Sequence, residues 1–186
     1  GANYTTTYTE NAAAISIGDA DVSVTDVDSA NLTGATITLT NAQAGDVLAA
    51  GTMPAGITAT VAGNVVTLAG ASSLANYQTA IRAITFRNTT EAPNTTPRTI
   101  DVVVTDGTSS SNTATTTINV VAVNDAPVNT VPGSIAVTED VTTPLTGIAV
   151  ADVDAASSAL LVTLSAPSGG LSATTGGGVT VGGTAS

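Results

Sequence analysis

Gly34-Ala35-Thr36-Ile37-Thr38-Leu39-Thr40 sets apolar and hydroxyl-bearing side chains in strict alternation. An extended chain turns successive side chains to opposite faces, so Ala35, Ile37 and Leu39 share one face and the threonines the other. The same period returns twice downstream. Ile100, Val102 and Val104 alternate with Asp101, Val103 and Thr105, and Ile118, Val120 and Ala122 alternate with Asn119, Val121 and Val123. Shorter runs at 22–25, 57–61, 64–69 and 83–87 also read as strands. Turn-forming pairs and triplets separate the runs: Gly45-Asp46, Pro54-Ala55-Gly56, Gly63-Asn64, Pro93-Asn94 and Asp106-Gly107. One segment departs from the pattern. Leu74, Tyr77 and Ile81 fall at helical spacing behind Ser72-Ser73, a potential N-cap, which predicts a short helix over 73–81 running into the strand Ala83-Ile84-Thr85-Phe86. Tyr77 reads as core.

Composition points the same way. The 186 residues are 42% apolar, but with one Phe, three Tyr and no Trp the apolar side chains are mostly Ala and Val. Thr is the other dominant residue, and β-branched side chains suit a pleated, half-buried surface. An all-β protein with thin core layers is expected. Such units need extra staples, and with no Cys, metal ions are the only kind this chain can supply.

The missing residues exclude chemistry. Without Cys, His or Lys there is no thiolate, no imidazole base and no amine to activate a serine, so the chain is expected not to be an enzyme. The three cations are Arg82, Arg87 and Arg98, and the net charge is −11. That balance repels nucleic acid and anionic lipid and attracts divalent cations. No run approaches the length of a membrane span, so no membrane insertion is expected. Arg98 is expected to pair with a nearby carboxylate, and Asp19, Asp21, Asp46 and Asp101 to be surface charge.

The chain repeats itself. Thr9-Glu10-Asn11 is matched by Thr138-Glu139-Asp140, and Thr25-Asp26-Val27-Asp28-Ser29-Ala30 by Ala151-Asp152-Val153-Asp154-Ala155-Ala156. The first unit then covers 1–125. A second, much shorter one starts at Ala126-Pro127 and covers 126–186, with strands expected at 134–138, 145–150, 159–165 and 178–181 and a Gly-rich tail from Gly169-Gly170 to Gly182-Gly183. A sandwich needs two sheets to close its core. The second unit is therefore either a repeat cut short or one completed by strand addition from another chain, as in a filament.

Taken together, these segments resemble the cadherin-like repeats of large secreted bacterial adhesins and biofilm proteins of the RTX type. The likeness is carried by Val24-Thr25-Asp26-Val27-Asp28 with Leu32 to Leu39, by Leu74 to Arg82 with Ile84-Thr85-Phe86-Arg87-Asn88, by Pro97-Arg98-Thr99-Ile100, by Val104-Thr105-Asp106-Gly107, and by Val123-Asn124-Asp125-Ala126-Pro127. It spans the first unit nearly end to end and the opening half of the second. It implies an immunoglobulin-like or cadherin-like Greek-key sandwich at 1–125, joined to an incomplete copy, with Ca2+ at the linker.

The resemblance also implies which acids hold the ion. Glu10, Glu91, Asn124, Asp125, Asp152 and Asp154 are expected to converge on one inter-repeat cluster. Asp26, Asp28 and Asp106 are expected at the opposite end, facing a preceding repeat, and Glu139 and Asp140 to await a following one. Calcium takes six to eight oxygen ligands, and clustered carboxylates supply them. Ala122 departs from eukaryotic cadherins, which usually carry an acid two residues before the linker Asn, and fewer protein ligands are implied here. The implied role is adhesive and mechanical: an extracellular repeat at the bacterial cell surface, stiffened by calcium. Its partners would be neighbouring repeats or other copies of the chain, and possible partners in a second class are cell-surface or matrix glycans. A filament or surface-layer subunit and an exopolysaccharide-binding module are the alternatives.

Overall fold

The computed structural model describes residues 3–156, 158–175 and 177–182. It is an all-β sandwich with one short helix. The strands are β1 (Asn3–Thr9), β2 (Ile15–Ser16), β3 (Asn31–Leu39), β4 (Asp46–Ala50), β5 (Thr58–Ala62), β6 (Val65–Ser73), β7 (Ile84–Asn88), β8 (Arg98–Thr105), β9 (Ala114–Val121), β10 (Val128–Thr130) and β11 (Ala149–Ala151), and helix α1 is Leu74–Arg82. Six strands form one sheet in the order β1-β9-β8-β3-β6-β5, three form another in the order β2-β7-β4, and β10 pairs with β11.

The alternating residues do what their period predicts. Ala35, Ile37 and Leu39 of β3 are buried, as are Ile100 and Val104 of β8 and Ile118 and Val120 of β9. Leu32, three residues before Ala35, also faces the core because a bulge between Leu32 and Gly34 shifts the register against β6. From the second sheet come Leu48, Ile84 and Phe86. Phe86 meets Tyr8 edge to face, with ring centroids 5.6 Å apart at 89°. Ser73 caps α1 through a bond from the Asn76 N–H to its Oγ at 3.2 Å, as the sequence predicts, and the helix buries Tyr77, Ala80 and Ile81.

Strand direction positions everything that follows. β1 runs parallel to β9, while β8 is antiparallel to β9 and β3 antiparallel to β8. So β1, β3 and β9 all point the same way. Glu10, just after β1, and Asn124-Asp125, after β9, therefore leave at one end of the sheet. Glu91, in the connection that enters β8, lies at that end too. Asp106, after β8, and Asp26-Asp28, ahead of β3, lie at the other.

Several expectations need correction. Residues 22–25 form no strand. The Val24 carbonyl accepts from Gln78 Nε2 at 3.2 Å and the Ala20 carbonyl from Arg82 Nη1 at 3.1 Å, so helix side chains take acceptors that a neighbouring strand would use. Val22 and Val24 still pack on the core, so the alternation is real but the ladder is absent. Beyond residue 126, 134–138, 159–165 and 178–181 form no strand, and 145–150 pairs only at Ala149–Ala151. Leu161 is 96% exposed: no facing sheet covers these side chains within the described residues. Asp46 is not surface charge. Its side chain is fully buried against Arg98, at 2.7 Å from Nε.

The chain divides into two compact units, the first reaching Asp154 and the second beginning at Ala155. The linker and the opening of the second sequence repeat thus belong to the first compact unit. That opening copies local geometry. Asn11 and Asp140 both have φ of 60°, and each turn closes in the same way, Ala12 N–H to Thr9 O at 3.1 Å and Val141 N–H to Thr138 O at 3.2 Å. Asp28 N–H bonds Asp26 Oδ1 at 3.1 Å, and Asp154 N–H bonds Asp152 Oδ1 at 2.9 Å.

Candidate metal centre

At the end where β1 and β9 finish, one carboxylate oxygen each of Glu10, Glu91 and Asp125 lies within 4.8 Å of the others. Glu10 is 4% exposed. Its own N–H extends the β1–β9 ladder to Val121 O at 2.9 Å, and its Oε2 accepts from the Val123 N–H at 2.7 Å. Its Oε1 is buried and has no hydrogen-bond partner. Asp125 is half-buried. Its N–H donates to Asp154 Oδ2 at 2.5 Å, and its Oδ2 is shielded and without a partner. Burial raises the Asp125 carboxyl above its ordinary pKa of 3.8, and the nearby charges of Asp154, Glu91 and Asp152 raise it further. Glu91 is exposed, and its Oε2 accepts from Asn11 Nδ2 at 3.1 Å. A shallow cleft beside them is lined by Glu91, Asp125 and Asp152 with Ala126, Val128 and Val153.

Two shielded anionic oxygens without partners are costly, because burial in a medium of low polarity penalises the charged form unless a countercharge is at hand. Arg98 is engaged by Asp46, and Arg82 donates to Ala20 O and Thr79 Oγ1. Among the described residues no arginine forms an ion pair with the cluster, and an added cation or a shared proton would relieve it. The donor set is all oxygen, which suits a hard cation and not a soft one.

The opposite end holds the second group. Asp26, Asp28 and Asp106 also approach within 4.8 Å. Here, however, the chain supplies donors to two of its three acids. Asp26 Oδ1 accepts from Ser29 N–H at 2.9 Å and Asp28 N–H at 3.1 Å. Asp106 Oδ1 accepts from Ser109 N–H and Thr108 N–H, both at 2.7 Å, and its Oδ2 accepts from Ser29 Oγ at 3.2 Å. These main-chain donors hold both carboxyls below their ordinary range, for Asp26 chiefly Ser29 and for Asp106 chiefly Ser109.

Of the residues expected at the first cluster, Glu10, Glu91 and Asp125 come together and Asp152 and Asp154 lie beside Asp125. The Asn124 amide is turned to the Asp125 carbonyl, with Nδ2 at 2.6 Å. Glu139 and Asp140 are exposed and, among the described residues, join no acidic group. Asn11, which steers Glu91, was not singled out from sequence. Its signal was present as the third residue of the recurring Thr-Glu-Asn/Asp turn, where φ near 60° favours Asn and Asp.

A separate cavity of about 500 Å³ lies between residues 17–25 and strands β8 and β9. Asp19 and Asp21 stand in its lining, and the hydrogen bond that the protonated Asp19 carboxyl can donate to Asp21 is the main cause that raises Asp19. Tyr4 is the one aromatic residue in its lining. Among the described residues no helix is long and apolar enough to cross a membrane.

No protein-family profile matches the chain, and no curated protein and no solved structure matches it either.

Proposed function

We propose that this chain is a calcium-binding, cadherin-like repeat of an extracellular bacterial surface protein, non-catalytic and adhesive or load-bearing in role. Glu10, Glu91 and Asp125 would hold Ca2+, with Asp152 and Asp154 beside them, and the ion would stiffen the passage from the first repeat into the second. The observation that carries this reading is the pair of shielded, unpartnered carboxylate oxygens, Glu10 Oε1 and Asp125 Oδ2, beside a third carboxylate, with no ion pair to the cluster among the described residues. Oxygen-only donors on a turn and two irregular connections suit calcium, which accepts variable geometry, better than magnesium, which demands a near-ideal octahedron.

Strand order supports the repeat assignment. The arrangement β2-β7-β4 facing β9-β8-β3 corresponds to strands B-E-D against G-F-C of immunoglobulin-like sandwiches, with β1 beside β9 in place of A and β5–β6 as an inserted hairpin. The two copies of the Thr-x-x turn and of the Asp-x-Asp turn support a tandem arrangement.

The test is calorimetric melting of the chain in calcium and in chelator. A ligand that binds only the folded state stabilises it by RT ln(1 + [L]/Kd), about 2.7 kcal/mol at a hundredfold excess over Kd. Calcium is expected to raise the melting temperature and chelator to lower it. Identical melting curves in the two buffers would overturn the proposal.

A further inference from the structure

We infer that Asn88 is the positioning residue of the proposed ion site, tying the strand that carries Glu10 and the loop that carries Glu91 to a single point. The inference rests on the reading above. Asn88 ends β7 and is 6% exposed. Its Nδ2 donates to Ala44 O and to Asp46 Oδ1, both at 2.8 Å. Its Oδ1 accepts from Thr90 N–H at 2.8 Å and from Thr90 Oγ1 at 2.6 Å. Its main-chain carbonyl accepts from the Tyr8 hydroxyl at 2.9 Å. Every polar group of the side chain is thus used.

The partners matter more than their number. Tyr8 stands two residues before Glu10, and Thr90 one residue before Glu91. So the two ligand-bearing segments, eighty residues apart in sequence, are both bonded to one residue at the point where each turns toward the cluster. With one or two residues between clamp and carboxylate, little slack remains. The clamp is itself anchored. Asp46, which receives Asn88, is held by Arg98 through Nε at 2.7 Å and Nη2 at 3.2 Å, and Arg98 Nη1 donates to Thr96 O. Thr89 N–H bonds Gly45 O at 2.9 Å. Gly45 has φ of 79°, and a Cβ there would meet Thr90 Cγ2 at 2.6 Å and Asn88 Oδ1 at 3.0 Å, so the turn facing the clamp has room only for glycine.

Such an arrangement sets ligand spacing before an ion arrives. Partners that orient ligands from outside the coordination sphere typically change metal affinity by about 10–100-fold when removed. A purely structural residue would lower the stability of the ion-free chain and leave the affinity of the folded chain unchanged.

The experiment is calcium titration by isothermal calorimetry, at a temperature where circular dichroism shows each protein folded. The proteins are wild type, Asn88→Ala, Tyr8→Phe, Thr90→Val, Thr90→Ser, Glu10→Gln as the ligand control, and Ile37→Val as a core substitution away from the site. Asn88→Ala, which frees Thr90 but keeps the main-chain carbonyl that accepts from Tyr8, is expected to weaken binding about tenfold, and Tyr8→Phe, which frees the other arm, and Thr90→Val by a smaller factor. Thr90→Ser, which keeps the hydroxyl, and Ile37→Val should bind like wild type. Should Asn88→Ala fail to fold, Tyr8→Phe and Thr90→Val against Thr90→Ser carry the comparison. Wild-type affinity in all the clamp variants, with Glu10→Gln still impaired, overturns the role of Asn88 and leaves the site standing. Absence of calcium binding by wild type overturns both.

Discussion

Replacing Glu10 by Gln should make the chain more stable without calcium and less stable with it. Glutamine matches the shape of glutamate and keeps an oxygen for the Val123 N–H, now 2.7 Å from Oε2. It removes the charge of a side chain that is 4% exposed and has a buried oxygen with no partner. In place of that oxygen it sets an amide donor toward Glu91 and Asp125, whose oxygens lie within 4.8 Å. Leaving a buried polar atom unsatisfied costs about 1–3 kcal/mol. The ion-free variant should therefore gain about 1–2 kcal/mol. For a sandwich of this size each kcal/mol moves the melting midpoint by roughly 3–5 °C, which places the variant a few degrees above wild type in chelator.

Calcium should reverse the order. At a hundredfold excess over Kd, wild type gains about 2.7 kcal/mol, or roughly 10 °C. The variant offers a neutral oxygen for a charged one and should keep little of that gain. Scanning calorimetry of both proteins across a calcium series should show the two midpoints crossing. A variant that melts below wild type by the same margin in chelator and in calcium would refute the reasoning. Glu10 would then matter only as an acceptor for Val123, and the charge it buries would serve no ion.

Three further outcomes follow from other parts of the molecule. In chelator, carboxyl titration by NMR should find Asp26 and Asp106 below 3.8 and Asp125 above it. The ionised forms of Asp26 and Asp106 are favoured by folding, so their stabilisation is present above 3.8 and lost as pH falls through their lowered values. The ionised form of Asp125 is disfavoured, so the urea midpoint should rise as pH drops through its raised value toward 3.8, and saturating calcium should erase that rise. Gly70→Ala should destabilise by about 3–5 kcal/mol in urea unfolding, because Gly70 has φ of 126° and a Cβ would sit 2.0 Å from the Gly56 carbonyl oxygen. Arg98→Met should cost about 3–5 kcal/mol by leaving the buried Asp46 charge without its counter-ion, and adding Asp46→Asn, which removes the charge and keeps an acceptor for Asn88, should recover part of the loss.

What the sequence makes legible divides along a physical line. The helix at 73–81 and the strands β3, β8 and β9 are readable because their signals are local: a serine cap, a 3.6-residue spacing, an alternation of small apolar and polar side chains. Segment 22–25 carries the same alternation and still makes no ladder. There the Val24 carbonyl accepts from Gln78 Nε2 of the helix at 3.2 Å, not from a neighbouring strand, and a side-chain bond of this kind leaves no periodic trace. β4 escapes for the opposite reason, since Asp46-Val47-Leu48-Ala49-Ala50 pairs with β7 without alternating. The buried state of Asp46 is equally silent, because its partner Arg98 lies 52 residues away. Asn88 looks like any polar residue at the end of a strand until the carbonyl it offers to Tyr8 is seen.

The acidic clusters are the instructive middle case. Their members are far apart in sequence, yet their division between the two ends is settled by strand direction alone. Once β1 lies parallel to β9, and β8 and β3 reverse in turn, residues that follow β1 or β9 or precede β8 must gather at one end. Those that follow β8 or precede β3 must gather at the other. Parity places Glu10, Glu91 and Asp125 together and keeps Asp26, Asp28 and Asp106 apart from them, whatever the loops do. Lateral detail is another matter. Both groups draw three carboxylates within the same 4.8 Å, but the Asp26 group is wrapped by its own main-chain donors and the Glu10 group is not. That difference arises from Ser29, Thr108 and Ser109 standing two or three residues beyond an acid, whereas Glu10 must find its donors across the sheet at Val123 and finds only one. The end of the sandwich with the unmet demand for positive charge is therefore the end from which the chain continues toward its second repeat, and that coincidence of topology and unsatisfied oxygen is what makes an ion at this junction the physically economical reading.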